Sequence, residues 1–206
     1  MFGQTPADCP ATLATIDKGS LSLLVVKTLG EIYQELGCRV RFMPYPGRRG
    51  IASFNNKQVN GEVMRIEKVE RAYKRDFVRS SVPLMMLNSS LWQHPDSLAK
   101  ADLPIGYTLG IIWQENYIKN KRGRKFSNAQ ELFRAYNSGE LSGFLSADIT
   151  VKIQVENGEI IPRPIQKQTV ISAPLYHYLG QEFTPFMKRF SDLLQREDRF
   201  GYISEF

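Results

Sequence analysis

The sequence predicts an α/β protein built as two lobes, and three observations carry that expectation. Short β-compatible runs alternate with amphipathic helical stretches through the first half of the chain. Two long β-compatible segments stand at residues 77–92 and 168–178. Between them a second, smaller alternation of strand and helix begins. Alternation of this kind builds a mainly parallel sheet flanked by helices, here once in each lobe, and the two long segments carry the chain out and back as a hinge.

The elements follow in order. Residues 11–16 read as a strand and run into Asp17-Lys18-Gly19-Ser20, a turn that also suits a helix cap. Leu21, Leu24, Val25, Leu29, Ile32 and Leu36 recur at helical spacing, and Gly37 stands where a left-handed cap would end the helix. Residues 39–43 read as a strand, 48–55 as a short helix, 62–66 as a strand and 67–75 as another short helix. The run 77–92 is too long for an ordinary strand and is interrupted by Pro83, which belongs at an edge or entry position. In the second alternation residues 105–107 form a strand and a helix starts from Gly110. A capping box at Ser127 and Gln130 opens a helix to Tyr136. Residues 141–146 give the next strand, with Asp148 as a cap for the helix after it. Thr184 and Pro185, as N-cap and first helical residue, start a final helix bearing Phe186, Phe190, Leu193 and Leu194.

Composition narrows the function. With 206 residues, 42% hydrophobic and 23% charged, the chain is globular in character. The longest apolar stretch, near Leu21 to Val26, is broken by Ser22 and followed by Lys27, too short to span a bilayer. Lys and Arg number 27 against 21 Asp and Glu, a net charge of +6 that invites an anionic partner. The one dense cluster, Lys119, Lys121, Arg122, Arg124 and Lys125, reads as a solvated face or loop. No helix-turn-helix, zinc or RNP pattern accompanies it, so nucleic acid is not an expected partner. The start Met1-Phe2-Gly3-Gln4 shows no secretory leader, so the chain is expected to be cytosolic or to have lost one. His94 precedes Pro95, and His177 lies between Tyr176 and Tyr178. With no nucleophile elbow, metal-spaced His/Cys set or glycine-rich phosphate loop, neither an enzyme nor a metal or cofactor site is expected.

Cys9 precedes the first strand and Cys38 starts the second. If those strands are parallel neighbours, ~4.8 Å apart, a Cys9–Cys38 disulfide is geometrically reasonable and implies an oxidising compartment. Two free buried thiols are the alternative.

Several segments resemble, in order and spacing, the bacterial extracellular solute-binding proteins of family 3. They are Ala14-Thr15-Ile16-Asp17 with the helix after it, Tyr45-Pro46-Gly47-Arg48-Arg49, Asn60-Gly61-Glu62-Val63-Met64-Arg65-Ile66 and Val82-Pro83-Leu84. Ile105-Gly106-Tyr107-Thr108-Leu109-Gly110 and Leu175-Tyr176-His177-Tyr178-Leu179 extend the match over nearly the whole chain. The family comprises type II periplasmic binding proteins that deliver small polar solutes, often amino acids, to ABC transporters. The resemblance implies a two-lobed fold, residues 1–88 plus 170–206 in one lobe and 89–169 in the other, closing on a small polar, amino-acid-like or anionic ligand in the interlobe cleft. It further implies a periplasmic or extracytoplasmic monomer with its signal peptide removed, whose partner is a transporter permease or a receptor. A ligand-sensing module of the same fold is one alternative. A degenerate binding protein is another, supported by Asn60 where the family usually has Asp and Ser142 where it commonly has an acidic residue. The family's Thr-x-x-Arg element is also absent; Val69-Glu70-Arg71 lies near its position.

The candidate ligand residues are Asp17, Arg49, Arg65, Tyr107, Thr108, Gly110, Trp113 and Asp148. Arg65 ends a strand and can hold a carboxylate or phosphate in a bidentate fork, or pair with Glu62 or Glu67. If it serves the ligand, Arg65→Ala should weaken binding and leave the melting temperature of the free protein nearly unchanged. Asp17 can meet a ligand ammonium or cap a helix. Arg48 and Arg49 open a helix whose dipole opposes their charge, so either an acidic neighbour or anion lies close or they face water. Tyr107, Thr108 and Gly110 form a turn whose free backbone N–H groups can receive an anion. Trp113 can stack on a ligand or be buried, and Asp148 can hold an amine or cap its helix.

Overall fold

The computed structural model describes residues 8–16, 20–45, 48–96 and 99–204. Its contacts divide the chain into two compact units, Met1–Met86 with Pro174–Glu205, and Leu87–Ala173.

The first unit opens with β1 (Thr12–Thr15), α1 (Ser20–Glu35), β2 (Arg41–Pro44), α2 (Arg49–Asn55) and β3 (Gly61–Ile66). A 3₁₀ stretch, Glu67–Ala72, leads to β4 (Phe77–Arg79). The chain leaves the unit within β5 (Met85–Gln93) and returns within β9 (Ile165–Gly180), which a 3₁₀ turn joins to α6 (Thr184–Arg196) and α7 (Gly201–Ser204). β1 pairs in parallel with β2 on one side and β3 on the other. β9 runs antiparallel between β3 and β4. The apolar stripe of α1 is what seats it: Val25, Leu29, Ile32 and Tyr33 are fully buried, and the Tyr33 ring lies 4.5 Å from that of Phe186 on α6. Gly37 ends the helix at φ 78°, a conformation that disfavours a Cβ.

In the second unit the strand order is β5, β8 (Gly143–Ala147), β6 (Ile105–Thr108), β7 (Gly123–Phe126). β6 is parallel to both β7 and β8, and β5 is antiparallel to β8. The helices are α3 (Ile112–Ile118), α4 (Ala129–Asn137) and α5 (Asp148–Glu156). Leu132, Phe133, Tyr136, Leu141, Phe144 and Val151 form the main core, with Phe133 and Tyr136 packed edge-on against Phe144.

Local chemistry corrects several expectations. The run 77–92 is two strands, because Pro83 lies in the break between them. The basic cluster is exposed and divided between two settings: Lys119, Lys121 and Arg122 lie in the turn after α3, and Arg124 and Lys125 lie in β7, paired with β6. The cap of α4 is Asn128, whose side chain accepts from the Glu131 N–H at 2.9 Å, while Glu131 reaches back to the Ser127 N–H at 3.2 Å, one residue beyond the expected box. Asp148 is the first helical residue of α5 and not its cap; Ala147 holds that position. Thr184 likewise lies inside α6, with Phe183 at the cap and the Thr184 hydroxyl donating to the Gln181 carbonyl.

Cys9 and Cys38 are joined as a disulfide, with Cα atoms 5.4 Å apart. Parallel pairing of β1 and β2 brings the residues that precede them together.

Candidate functional site

In parallel α/β sheets ligands bind outside the carboxyl ends of the strands. In the first unit β1 ends at Thr15, whose hydroxyl is buried with no hydrogen-bond partner among the described residues. Asp17, the next candidate, lies outside the described residues, as do Pro46 and Gly47 after β2. Arg49 is exposed at the start of α2.

Arg65, near the end of β3, is 8% exposed and faces Glu62, which has no solvent access. Its Nε and Nη2 donate to one oxygen of Glu62 at 3.0 and 2.6 Å, and the Tyr73 hydroxyl donates to the other. Residues three apart in a regular strand face opposite sides. Here the register of β3 against β9 shifts between Glu62 and Arg65, and the bulge brings both side chains together. Gly50 of α2 leaves the space they occupy: a Cβ there would stand 2.8 Å from Glu62 Oε1 and 2.9 Å from Arg65 Nη2. Burial, reinforced by the Glu62 charge, pushes the Tyr73 phenol well above its ordinary range, so it stays a neutral donor. The pairing alternative for Arg65 is therefore the one present, which corrects the expected effect of Arg65→Ala: removing it strands a buried carboxylate. Arg65 Nη1 has no hydrogen-bond partner among the described residues.

Behind this pair His177 is fully buried. Its Nδ1 faces the carbonyls of Glu62 and Val63 at 2.9 and 3.1 Å, and its Nε2 lies 2.7 Å from the Tyr33 hydroxyl. Since Nδ1 meets only acceptors it carries the proton, and Nε2 accepts from Tyr33. Burial lowers the imidazole to about 4, so it is neutral.

Asn60 lies at the other end of the strands. Its Oδ1 accepts from the Ala11 and Thr12 amides at 2.8 and 2.9 Å and from the Thr12 hydroxyl at 3.3 Å. It anchors the start of β1, so its difference from Asp bears on strand packing and gives no support to a lost ligand site.

In the second unit the turn after β6 differs from expectation. The Thr108 amide donates to Gln114 Oε1 at 2.6 Å, Leu109 to the Phe126 carbonyl at 2.9 Å, Gly110 to Glu115 Oε1 at 2.8 Å and Ile111 to the Thr108 carbonyl at 3.4 Å. Every amide from 108 to 111 is taken, and the Glu115 carboxylate occupies the place an anion would have. Tyr107, Thr108 and Gly110 thus offer no free N–H cradle. Gly110, at φ 85°, is needed for the turn itself. Gln114, 3% exposed, bridges on to the Leu145 carbonyl at 3.2 Å. Trp113 is half-buried against the cluster of Leu91, Ile118 and Leu145, on which Tyr107 and Tyr117 also pack.

At the carboxyl end of β8, Ser90 is registered against Ser146. Gln166 Nε2 donates to Ser90 Oγ at 2.8 Å and to Asp148 Oδ2 at 3.2 Å. Asp148 Oδ1 is buried with no hydrogen-bond partner among the described residues. A carboxylate with one oxygen fixed and the other unused is an acceptor for an ammonium or another donor. The sequence reading named Glu62 as a partner for Arg65 but did not single out Tyr73, Gln114, Glu115, Ser90 or Gln166. Only the Gln114-Glu115 pair, close after Gly110, left a local signal. Among the described residues no group of His, Cys, Asp and Glu is placed to hold a metal ion, and no helix is long and apolar enough to cross a membrane.

No protein-family model and no curated protein matches the chain. Solved structures do. Holo ArgBP from T. maritima superposes with a TM-score of 0.70 at 12% identity, covering 95% of this chain and 94% of that one. AbpA, an amino acid ABC transporter substrate-binding protein from Streptococcus pneumoniae bound to L-arginine, gives 0.70 at 15%, covering 95% and 91%. The GluR0 ligand-binding core from Nostoc punctiforme in complex with L-glutamate gives 0.71 at 13%, covering 95% and 96%. At such identities the likeness is one of fold. The chain has the two-lobed α/β fold of the periplasmic binding proteins.

Proposed function

We propose that this protein is an extracytoplasmic solute-binding protein that captures a small polar, amino-acid-like ligand and presents it to an ABC transporter, its two units serving as the lobes. The observation that carries this reading is the fold, common to nearly the full length of proteins solved with L-arginine and L-glutamate bound. Two side chains give it chemistry. In the second unit Asp148 has an unused oxygen suited to an ammonium, and in the first Arg65 Nη1 is suited to a carboxylate, each taken within its own unit. The Cys9–Cys38 bridge supports an oxidising compartment. Binding without a covalent step is the proposed activity, since His177 is committed to Tyr33 and two backbone carbonyls, and His94 Nδ1 accepts from the Asp96 amide at 3.1 Å.

A thermal-shift screen across the proteinogenic L-amino acids, small carboxylates and polyamines tests the reading. A rise in melting temperature with an amino acid, reduced in Asp148→Asn, is expected. No rise with any compound would overturn it in favour of a protein of this fold that no longer takes such solutes.

A further inference from the structure

We propose that the open edge of β7 is a docking surface for an acidic segment of a partner protein, added to the second unit's sheet as an extended strand. β7 ends the strand order β5, β8, β6, β7. The Ile105 amide donates to the Arg122 carbonyl and the Leu109 amide to the Phe126 carbonyl, both at 2.9 Å. In a parallel ladder alternate residues face the same neighbour, so 122, 124 and 126 face β6, and Gly123 and Lys125 present N–H and C=O to the open side. Both residues are exposed.

The charge carried by the segment that forms this edge is one-signed. Residues 119–125 contain Lys119, Lys121, Arg122, Arg124 and Lys125. Of these, Arg124 alone meets a carboxylate among the described residues, Glu140 at 2.5 Å. Arg122 is turned onto the Asp102 carbonyl, and Lys121 lies 4.3 Å above the Tyr117 ring while donating to the Tyr117 carbonyl. Lys119 and Lys125 are exposed with no ion-pair partner among the described residues.

Those charges choose the occupant. Cations on an edge keep a second copy of the same strand away, because like charges would lie opposite each other. The same cations attract an acidic strand, whose backbone satisfies the open groups of Gly123 and Lys125 while its carboxylates meet Lys119 and Lys125. A nucleic acid or an anionic lipid surface would use the charges but leave the strand edge unpaired, and the Tyr117 ring that could stack on a base is covered by Lys121.

The test uses the full chain and a fluorescein-labelled peptide of alternating Glu and Val, followed by anisotropy and by amide shifts. Saturable binding is expected, with shifts at Gly123 and Lys125. Affinity should fall by at least about tenfold in the double variant Lys119→Glu, Lys125→Glu, and equally when alternate peptide nitrogens are methylated. Both changed residues are exposed, and circular dichroism checks that the variant stays folded. Absence of binding, unchanged affinity in the variant, or equal binding of the methylated peptide would overturn the proposal. So would an RNA oligonucleotide or phosphatidylglycerol vesicles binding through these residues where the peptide does not.

Discussion

Replacing Arg65 by alanine removes the counter-ion of a carboxylate that has no access to water. Glu62 takes two of its hydrogen bonds from Arg65 and one from Tyr73, so the variant leaves the carboxylate with one neutral donor. Breaking a buried ion pair from one side costs about 3–5 kcal/mol, most of it from the uncompensated charge. For a chain of this size each kcal/mol moves the melting temperature by about 2–4 °C, so the ligand-free variant should melt about 6–20 °C lower. Adding Glu62→Gln removes the stranded charge and should recover part of the loss, a coupling of about 1–3 kcal/mol in a double-mutant cycle. The assay is thermal denaturation by far-UV circular dichroism for the parent, both single variants and the double. An Arg65→Ala protein melting within about 2 °C of the parent, or a double variant no more stable than Arg65→Ala, would refute the reasoning.

Two further outcomes are expected. The unfolded chain protonates His177 near 6.5, but the folded one resists until about 4, so this contribution is complete above pH 6.5 and is lost as pH falls through that window, by about 3 kcal/mol in all. Urea midpoints of the parent should drop faster with acid than those of His177→Gln; parallel curves would contradict the buried neutral imidazole. The Cys9–Cys38 bridge closes a loop of sequence separation 29, worth about 3–4 kcal/mol by chain entropy. Joint replacement of both cysteines by serine should lower the urea midpoint accordingly, and an unmoved midpoint would show that the bridge carries no stability.

Features with a strong local period were legible in the sequence. Leu21, Val25, Leu29 and Ile32 fall on one face of α1, and Phe186, Phe190 and Leu193 on one face of α6; all are buried. Gly37 marked the end of α1 for a reason of backbone geometry alone. What stayed hidden depends on tertiary pairing. β7 carries Arg and Lys where a strand pattern would show alternating apolar residues, and pairing with β6 overrides that weak propensity. The Glu62–Arg65 pair stands among the alternatives the sequence leaves open, but the bulge in β3 that brings the two together is reported by no spacing rule. The turn after β6 looked like an open anion cradle because its glycine and helix start were visible, while the folding back of Gln114 and Glu115 onto its amides was not. Asn60 drew attention as a departure from a family pattern, yet its oxygen serves the start of β1.

Solute binding through Asp148 is tested most directly by calorimetric titration of the ligand-free protein with each proteinogenic L-amino acid. A saturable one-to-one heat is expected with at least one of them, and Asp148→Asn should lower that affinity by at least about tenfold, since an ammonium would lose its charged partner. The variant's melting temperature should stay within about 2 °C of the parent, because the Gln166 contact can persist. No heat with any amino acid, or an affinity unchanged by Asp148→Asn, would contradict it.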